Sequence, residues 1–241
     1  MTTLASHVLV VFVDTQDAAP SELATALDEV TAQGCSGFLT LGDGNDASSH
    51  RSLCNLLAFE EKSSFAFPKL PITLFSTCKQ AMSVVQDGGI SNVHFLDAAS
   101  AASTETRVRS LLQEAKHLVF LHVTEFEATN AWLSSVLRDA MRAESFVSIV
   151  RPAQQPHADS VVHPLRPRQS FDRHNGAYAA RSSPPARLFF SHFHSDRTRR
   201  DAATSFTERS VALHGAYGAM DARIFLKELA FRLGFAPKYG A

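Results

Sequence analysis

Cysteine is scarce. Cys35, Cys54 and Cys78 are the only three in 241 residues, and none belongs to a Cys-x-x-Cys pair. The expectation is three reduced, mostly buried thiols in a cytosolic-type compartment. An excess of either charge is also missing. Lys and Arg number 23 against 24 Asp and Glu, a formal net charge of −1. Nothing draws such a chain towards nucleic acid or an acidic membrane surface. Long hydrophobic runs are absent too. The N-terminal run "HVLVVFV" (7–13) is too short to span a bilayer and lacks the basic flank and cleavage site of a signal peptide, so it reads as a strand. The expected location is cytoplasmic, with no membrane span. The glycine-rich "LGDGND" (41–46) lacks the Lys-Ser/Thr of a P-loop and the spacing of a dinucleotide fingerprint, which leaves a turn.

What the chain does have is apolar residues, 45% of the total, enough for a large core. They fall in short β-branched or aromatic runs that alternate with amphipathic stretches. Strands are expected at 7–13, 36–41, 71–76, 92–97, 117–123, 145–150 and 187–193. Helices are expected at 21–34, 51–61, 77–86, 103–115, 127–142 and 221–233. In the last of these Phe225, Leu226, Leu229 and Leu233 form a stripe for burial. This β/α alternation predicts an α/β fold with one doubly wound, mostly parallel sheet and helices on both faces. Trp132 reads as core packing, and His122, inside an apolar strand, as a core histidine.

Residues 151–187 break the pattern. They hold six of the ten prolines, six arginines and three histidines. A connection this long without a periodic pattern is either functional or mobile. It is a local basic arm on a neutral protein, suited to docking a partner or an acidic ligand.

"SHFHSD" (191–196) has the look of the His-x-His-x-Asp zinc motif of metallo-β-lactamase-type hydrolases. That motif needs a further histidine after the aspartate, where this chain has Arg197. Three arginines, Arg197, Arg199 and Arg200, are poor company for a dication. The stretch reads better as the end of a late strand.

Ligands of such sheets bind beyond the carboxyl ends of the strands. Asp14 stands at the exit of the first strand, and Ser48 and Ser49 precede a helix, where a serine can attack or cradle a phosphate. "SHRSLCNLLAFE" (49–60), "LVFLHVTEFEATNA" (118–131) and the terminal "RRDAATSF…GAYGAMDARIFLKELAFRLGFAPKYGA" follow one another along the chain. This order resembles the archaeal-type cofactor-independent phosphoglycerate mutases of the alkaline phosphatase superfamily. The resemblance implies an alkaline phosphatase-like core in a single domain, residues 1–241, without the family's inserted substrate domain. It implies Ser49 as the nucleophile of an active member, with His50 beside it, and metal-site positions at Asp14, Glu127 and Arg151.

The pattern is degenerate at those positions. Thr15 replaces a glycine, His50 an acidic neighbour, Glu127 an aspartate and Ala131 a histidine. "VRPAQQP" stands where Gly-Asp-His is expected, which puts Arg151 at a ligand position. The family's chemistry needs two divalent cations. Without them a carboxylate cluster would repel itself, so metals and carboxylates should be lost together. The expectation is a non-catalytic member that binds a protein partner, as a subunit of a larger assembly, with no cofactor. The arm is the expected contact, and His50, Arg166 and Arg168 are candidate phosphate or partner contacts. The alternative is a metal-dependent phosphomonoesterase or phosphomutase that uses Ser49 with Mn or Zn, and takes histidines from the arm, His157 or His163, as ligands.

Overall fold

The alternation of β-branched runs with amphipathic segments sets the architecture. The computed structural model describes residues 4–41, 50–59, 65–143, 145–154, 186–195 and 199–237, together with the backbone of 173–174 and 177–178. Its strands are β1 (His7–Val13), β2 (Cys35–Thr40), β3 (Ile72–Ser76), β4 (Val93–Phe95), β5 (His117–Val123), β6 (Phe146–Pro152), the short pair β7 (Arg173–His174) and β8 (Ala177–Tyr178), β9 (Arg187–Phe193) and β10 (Gly218–Asp221). Its helices are α1 (Ser21–Gln33), α2 (Arg51–Leu56), α3 (Lys79–Asp87), α4 (Ala101–Leu111), α5 (Leu133–Arg142), α6 (Glu208–His214) and α7 (Ala222–Arg232). Eight strands form one sheet in the order β10-β2-β9-β6-β1-β5-β3-β4. All run parallel except β9, which is antiparallel to both of its neighbours.

Both faces of the sheet are apolar, which explains why β1 reads as a continuous hydrophobic run. Val8, Val10 and Phe12 point to one face, where Leu53 and Leu56 of α2, Ala81 and Val85 of α3, and Phe225, Leu226 and Leu229 of α7 cover them. Leu9, Val11 and Val13 point to the other, against Leu23 and Val30 of α1, Val108 of α4, Leu133, Val136 and Leu137 of α5, and Val211 of α6. Each fully buried side chain of this size contributes about 1.5–3 kcal/mol, so the two layers hold the strands from both sides. The sheet is doubly wound, as its sequence pattern predicts.

Helix α5 begins at Leu133, six residues later than the sequence suggests, because residues 127–132 form a turn that seats Trp132 in the core at 2% exposure. Four elements escape sequence reading: the short pair β7 and β8, α6 and β10. The stretch leading to the last two is pinned by carboxylates. Asp201 accepts from the backbone N–H groups of Ser36 (2.6 Å), Ala203 (3.0 Å) and Ala216 (3.0 Å), and Asp28 accepts from that of Phe206 (2.6 Å). The "RRDAATSF" stretch is therefore a clasp that fastens the chain's last third to β2 and α1.

Candidate functional site

In an open sheet of this kind the ligand crevice lies beyond the carboxyl ends of the strands, where successive connections leave in opposite directions. That place is β1. The chain leaves it for β2 on one side, and the later strands β5, β3 and β4 lie on the other. The crevice is therefore lined by residues that follow β1, β5, β3 and β6.

Asp14 is the first residue beyond β1, and its N–H donates to Val123 O at 2.8 Å. Its carboxylate is held from below. His122, on β5 and with its side chain fully buried, places Nε2 3.1 Å from Asp14 Oδ2. The other ring nitrogen, Nδ1, lies 2.8 Å from the hydroxyl of Ser76 at the end of β3. The imidazole thus bridges the Ser76 hydroxyl and the Asp14 carboxylate, and that hydroxyl also faces Cys78 O at 3.2 Å. Phe12 stacks on the imidazole at 5.4 Å and fixes its plane. The Cys78 N–H donates to Ser76 Oγ at 3.0 Å and closes the deep end.

An Asp-His-Ser row has the composition of a nucleophilic hydrolase triad, but this one runs the wrong way for that chemistry. Its serine is the buried end, at 0% exposure, and its aspartate side chain is the accessible end, at 20%. A substrate can meet Asp14 and cannot reach Ser76, so the row acts as an orienting strut for one carboxylate. Next to it, Thr77 and Thr124 share a hydrogen bond between hydroxyls at 2.8 Å, and the Thr124 N–H donates to Thr77 Oγ1 at 2.8 Å, which ties the exits of β3 and β5 together.

On the other flank stands Arg151. The parallel register sets Phe12 against Val150, so Arg151 emerges from β6 beside the exit of β1. Its Nε donates to Thr15 O at 3.2 Å and its Nη2 to Asp17 O at 2.5 Å. Burial lowers the guanidinium pKa below its ordinary value, and Asp17 opposes that shift. Gln154 joins the same clamp, bonding the Gln16 side chain and donating its backbone N–H to Glu208 Oε2 at 2.8 Å. The root of the 151–187 arm is thus fastened to the loop that carries Asp14. Ala153 N–H donates to Arg187 O at 2.9 Å, so the arm leaves and re-enters the sheet at this one end.

Asp14 and Arg151 therefore lie at the same end of adjacent strands. Glu127 follows β5 at that end and is exposed. His50 is buried immediately before α2, and its Nε2 has no hydrogen-bond partner among the described residues. Ser49, Arg166, Arg168, His157 and His163 lie outside the described residues. His122 and Ser76 are the participants that sequence reading missed. Their only signal is position: a polar residue at or near the last place of an apolar strand.

The two histidines of "SHFHSD" lie elsewhere. Strand β9 is antiparallel, so its carboxyl end is at the opposite edge of the sheet from Asp14. His192 is buried among Phe146, Phe190, Tyr217 and Phe225, and His194 is buried near Phe146. Burial drives the His192 pKa down to about 3. Among the described residues no helix is long and apolar enough to cross a membrane.

No protein-family model matches the sequence. No curated protein matches it either. Solved structures do. The PH0037 protein from Pyrococcus horikoshii matches with a TM-score of 0.54 at 13% identity, over 100% of both chains. The lipoteichoic acid synthase LtaP from Listeria monocytogenes matches with a TM-score of 0.54 at 9% identity, over 97% of this chain and 73% of its own. The cofactor-independent phosphoglycerate mutase from Thermoplasma acidophilum matches with a TM-score of 0.47 at 9% identity, over 95% of this chain and 100% of its own. The first two likenesses show the fold, an alkaline phosphatase-like α/β sheet.

Proposed function

We propose that this chain uses an alkaline phosphatase-like fold without its chemistry, as a non-catalytic protein that binds a protein partner within a larger assembly. The observation that carries this reading is Arg151. A guanidinium keeps its charge at any working pH. Here it stands on the strand next to β1 and is fixed by the carbonyls of Thr15 and Asp17, on the loop that follows Asp14. A fixed positive charge at this end of the sheet weighs against gathering divalent cations there. His122 holds one oxygen of Asp14 and orients the carboxylate. On this reading the described residues hold no pair of divalent cations, and no step is assigned to them. What remains useful at this end of the sheet is the root of a basic arm, anchored and ready to present its arginines to a partner of acidic character.

One observation favours the alternative. A buried strut aims Asp14 at the crevice, as an active site would require. That reading is a metal-dependent phosphomonoesterase with Ser49 as the nucleophile. One experiment separates the two. The full chain, purified gently, is assayed for bound Mn and Zn and for hydrolysis of a generic aryl phosphate, while the native complex is recovered by pull-down. The proposal expects neither metal nor hydrolysis, and a stable partner. Stoichiometric metal, with hydrolysis abolished by Ser49→Ala, would overturn it.

A further inference from the structure

Edge strands expose a row of backbone donors and acceptors, and proteins blunt them with lysine, proline, bulges or brevity. At one edge of this sheet brevity suffices, since β4 has three residues. The opposite edge is different. Among the described residues β10 pairs on one side only, with β2. Its four residues, Gly218, Ala219, Met220 and Asp221, include no proline and no basic side chain, and the Asp221 carboxylate is turned along the chain to Arg223.

Exposed apolar surface collects beside this edge. Three large apolar side chains are exposed among the described residues, and two of them, Leu213 at 62% and Tyr217 at 37%, flank the turn that feeds β10. The turn is rigid. The Ala216 N–H is held by Asp201 at 3.0 Å and the Tyr217 N–H by Ser36 O at 2.9 Å. Gly215 packs so closely that a Cβ there would lie 2.6 Å from Val211 O and 2.7 Å from Ser36 O. The Tyr217 hydroxyl donates to Glu228 at 2.6 Å. A surface held this way loses little freedom when it is covered.

We propose that β10 is a pairing edge for a second copy of this chain, with the two β10 strands antiparallel across a two-fold axis. The strand is complementary to itself. An axis between Ala219 and Met220 sets Gly218 opposite Asp221 and Ala219 opposite Met220, so no like charges face each other. A net charge of −1 per copy adds little long-range repulsion. The contact is isologous and closes on itself, which limits the assembly to a dimer. Leu213 and Tyr217 of each copy flank the joined strands and supply the apolar contact that four residues of backbone pairing lack. This inference is independent of whether the Asp14 crevice is catalytic.

The test is sedimentation equilibrium of the full chain, with hydrogen exchange read at residues 218–221 as a function of concentration. The expected result is a reversible monomer–dimer equilibrium with slower exchange in β10 as the dimer forms. Leu213→Glu should weaken the dimer at least about tenfold, the loss of one central apolar contact, while circular dichroism confirms an unchanged fold. A monomer throughout the micromolar range would overturn the proposal, even if another protein occupied the edge. A dimer insensitive to Leu213→Glu, or with unchanged β10 exchange, would place the interface elsewhere and overturn it too.

Discussion

Replacing His192 by phenylalanine should stabilise the protein, and the gain should grow as the pH falls. The imidazole is 2% exposed, and neither ring nitrogen has a hydrogen-bond partner among the described residues. Its walls are the rings of Phe190 at 4.3 Å, Phe146 at 5.0 Å, Tyr217 at 5.5 Å and Phe225 at 5.9 Å. A buried polar atom left unpaired costs about 1–3 kcal/mol, so a phenyl ring of nearly the same shape should gain an amount of that order at pH 7. The pH dependence follows from the ring's basicity. Burial lowers its pKa from 6.5 to about 3; Glu228 opposes the shift and Arg232 adds to it. Between those two values the unfolded chain binds a proton that the folded chain refuses. Stability is therefore complete above the unfolded pKa and is lost as the pH falls towards the folded one, by up to about 1.4 kcal/mol per pH unit. From pH 7 to pH 5 the loss is about 2 kcal/mol for the wild type, and the variant lacks it. Urea unfolding followed by the fluorescence of Trp132, the single tryptophan, measures both proteins at both pH values. Groups remote from His192, His117 among them, contribute equally to each and cancel in the difference; Glu228, whose pKa His192 helps to lower, does not and is measured separately with Glu228→Gln in both backgrounds. Equal pH slopes for the two proteins would contradict this account, because the His192 ring would then be protonated, or hydrogen-bonded, in the folded state.

Three further outcomes follow from the geometry. Asp201→Ala removes the acceptor for three backbone N–H groups and should cost at least about 3 kcal/mol: hydrogen bonds to a charged group are worth about 1.5–3 kcal/mol each, and water reaches the N–H groups, one of them exposed, and offsets part of the loss; a thermal midpoint equal to the wild type would show that the clasp is redundant. His122→Ala leaves a cavity under Phe12 and strips both Ser76 and Asp14 of a partner, for an expected cost of about 2–4 kcal/mol by urea unfolding; a neutral variant would count against the strut. Gly37→Ala drives a Cβ to 2.6 Å from Gly218 O, so β10 must move off β2; hydrogen exchange at 218–221 should quicken and stability should fall by about 1–3 kcal/mol, and unchanged exchange would mean that the edge accommodates the methyl group.

The sheet was legible in the sequence where side chains announce their surroundings. β1, β5 and β6 are near-continuous apolar runs, interrupted by His122 in β5 and Ser148 in β6, because both of their faces are covered, and periodicity reports that directly. β10 was illegible for the same physical reason turned around. A four-residue edge strand of Gly, Ala, Met and Asp has neither β-branched residues nor alternation, and only pairing with β2 makes it a strand. The late start of α5 was hidden too, because Trp132 suits a helix by pattern while its indole N–H donates to Ala128 O at 2.9 Å and fixes a turn.

The crevice divides along the same line. Asp14 and Arg151 could be placed from sequence because each lies at the end of a readable strand, and parallel strands deliver such residues to one edge. The partners that give them their character could not. His122 is separated from Asp14 by 108 residues and Ser76 from His122 by 46, so nothing local couples them. The two carbonyls that hold Arg151 carry no side-chain signal at all. Yet those contacts decide the chemistry available. They hold Asp14 from below and tie the root of the arm to the loop that follows it. Substituting Arg151 would therefore do two things at once. It would remove a fixed positive charge at this end of the sheet, and it would release the Thr15 and Asp17 carbonyls of the loop that follows Asp14.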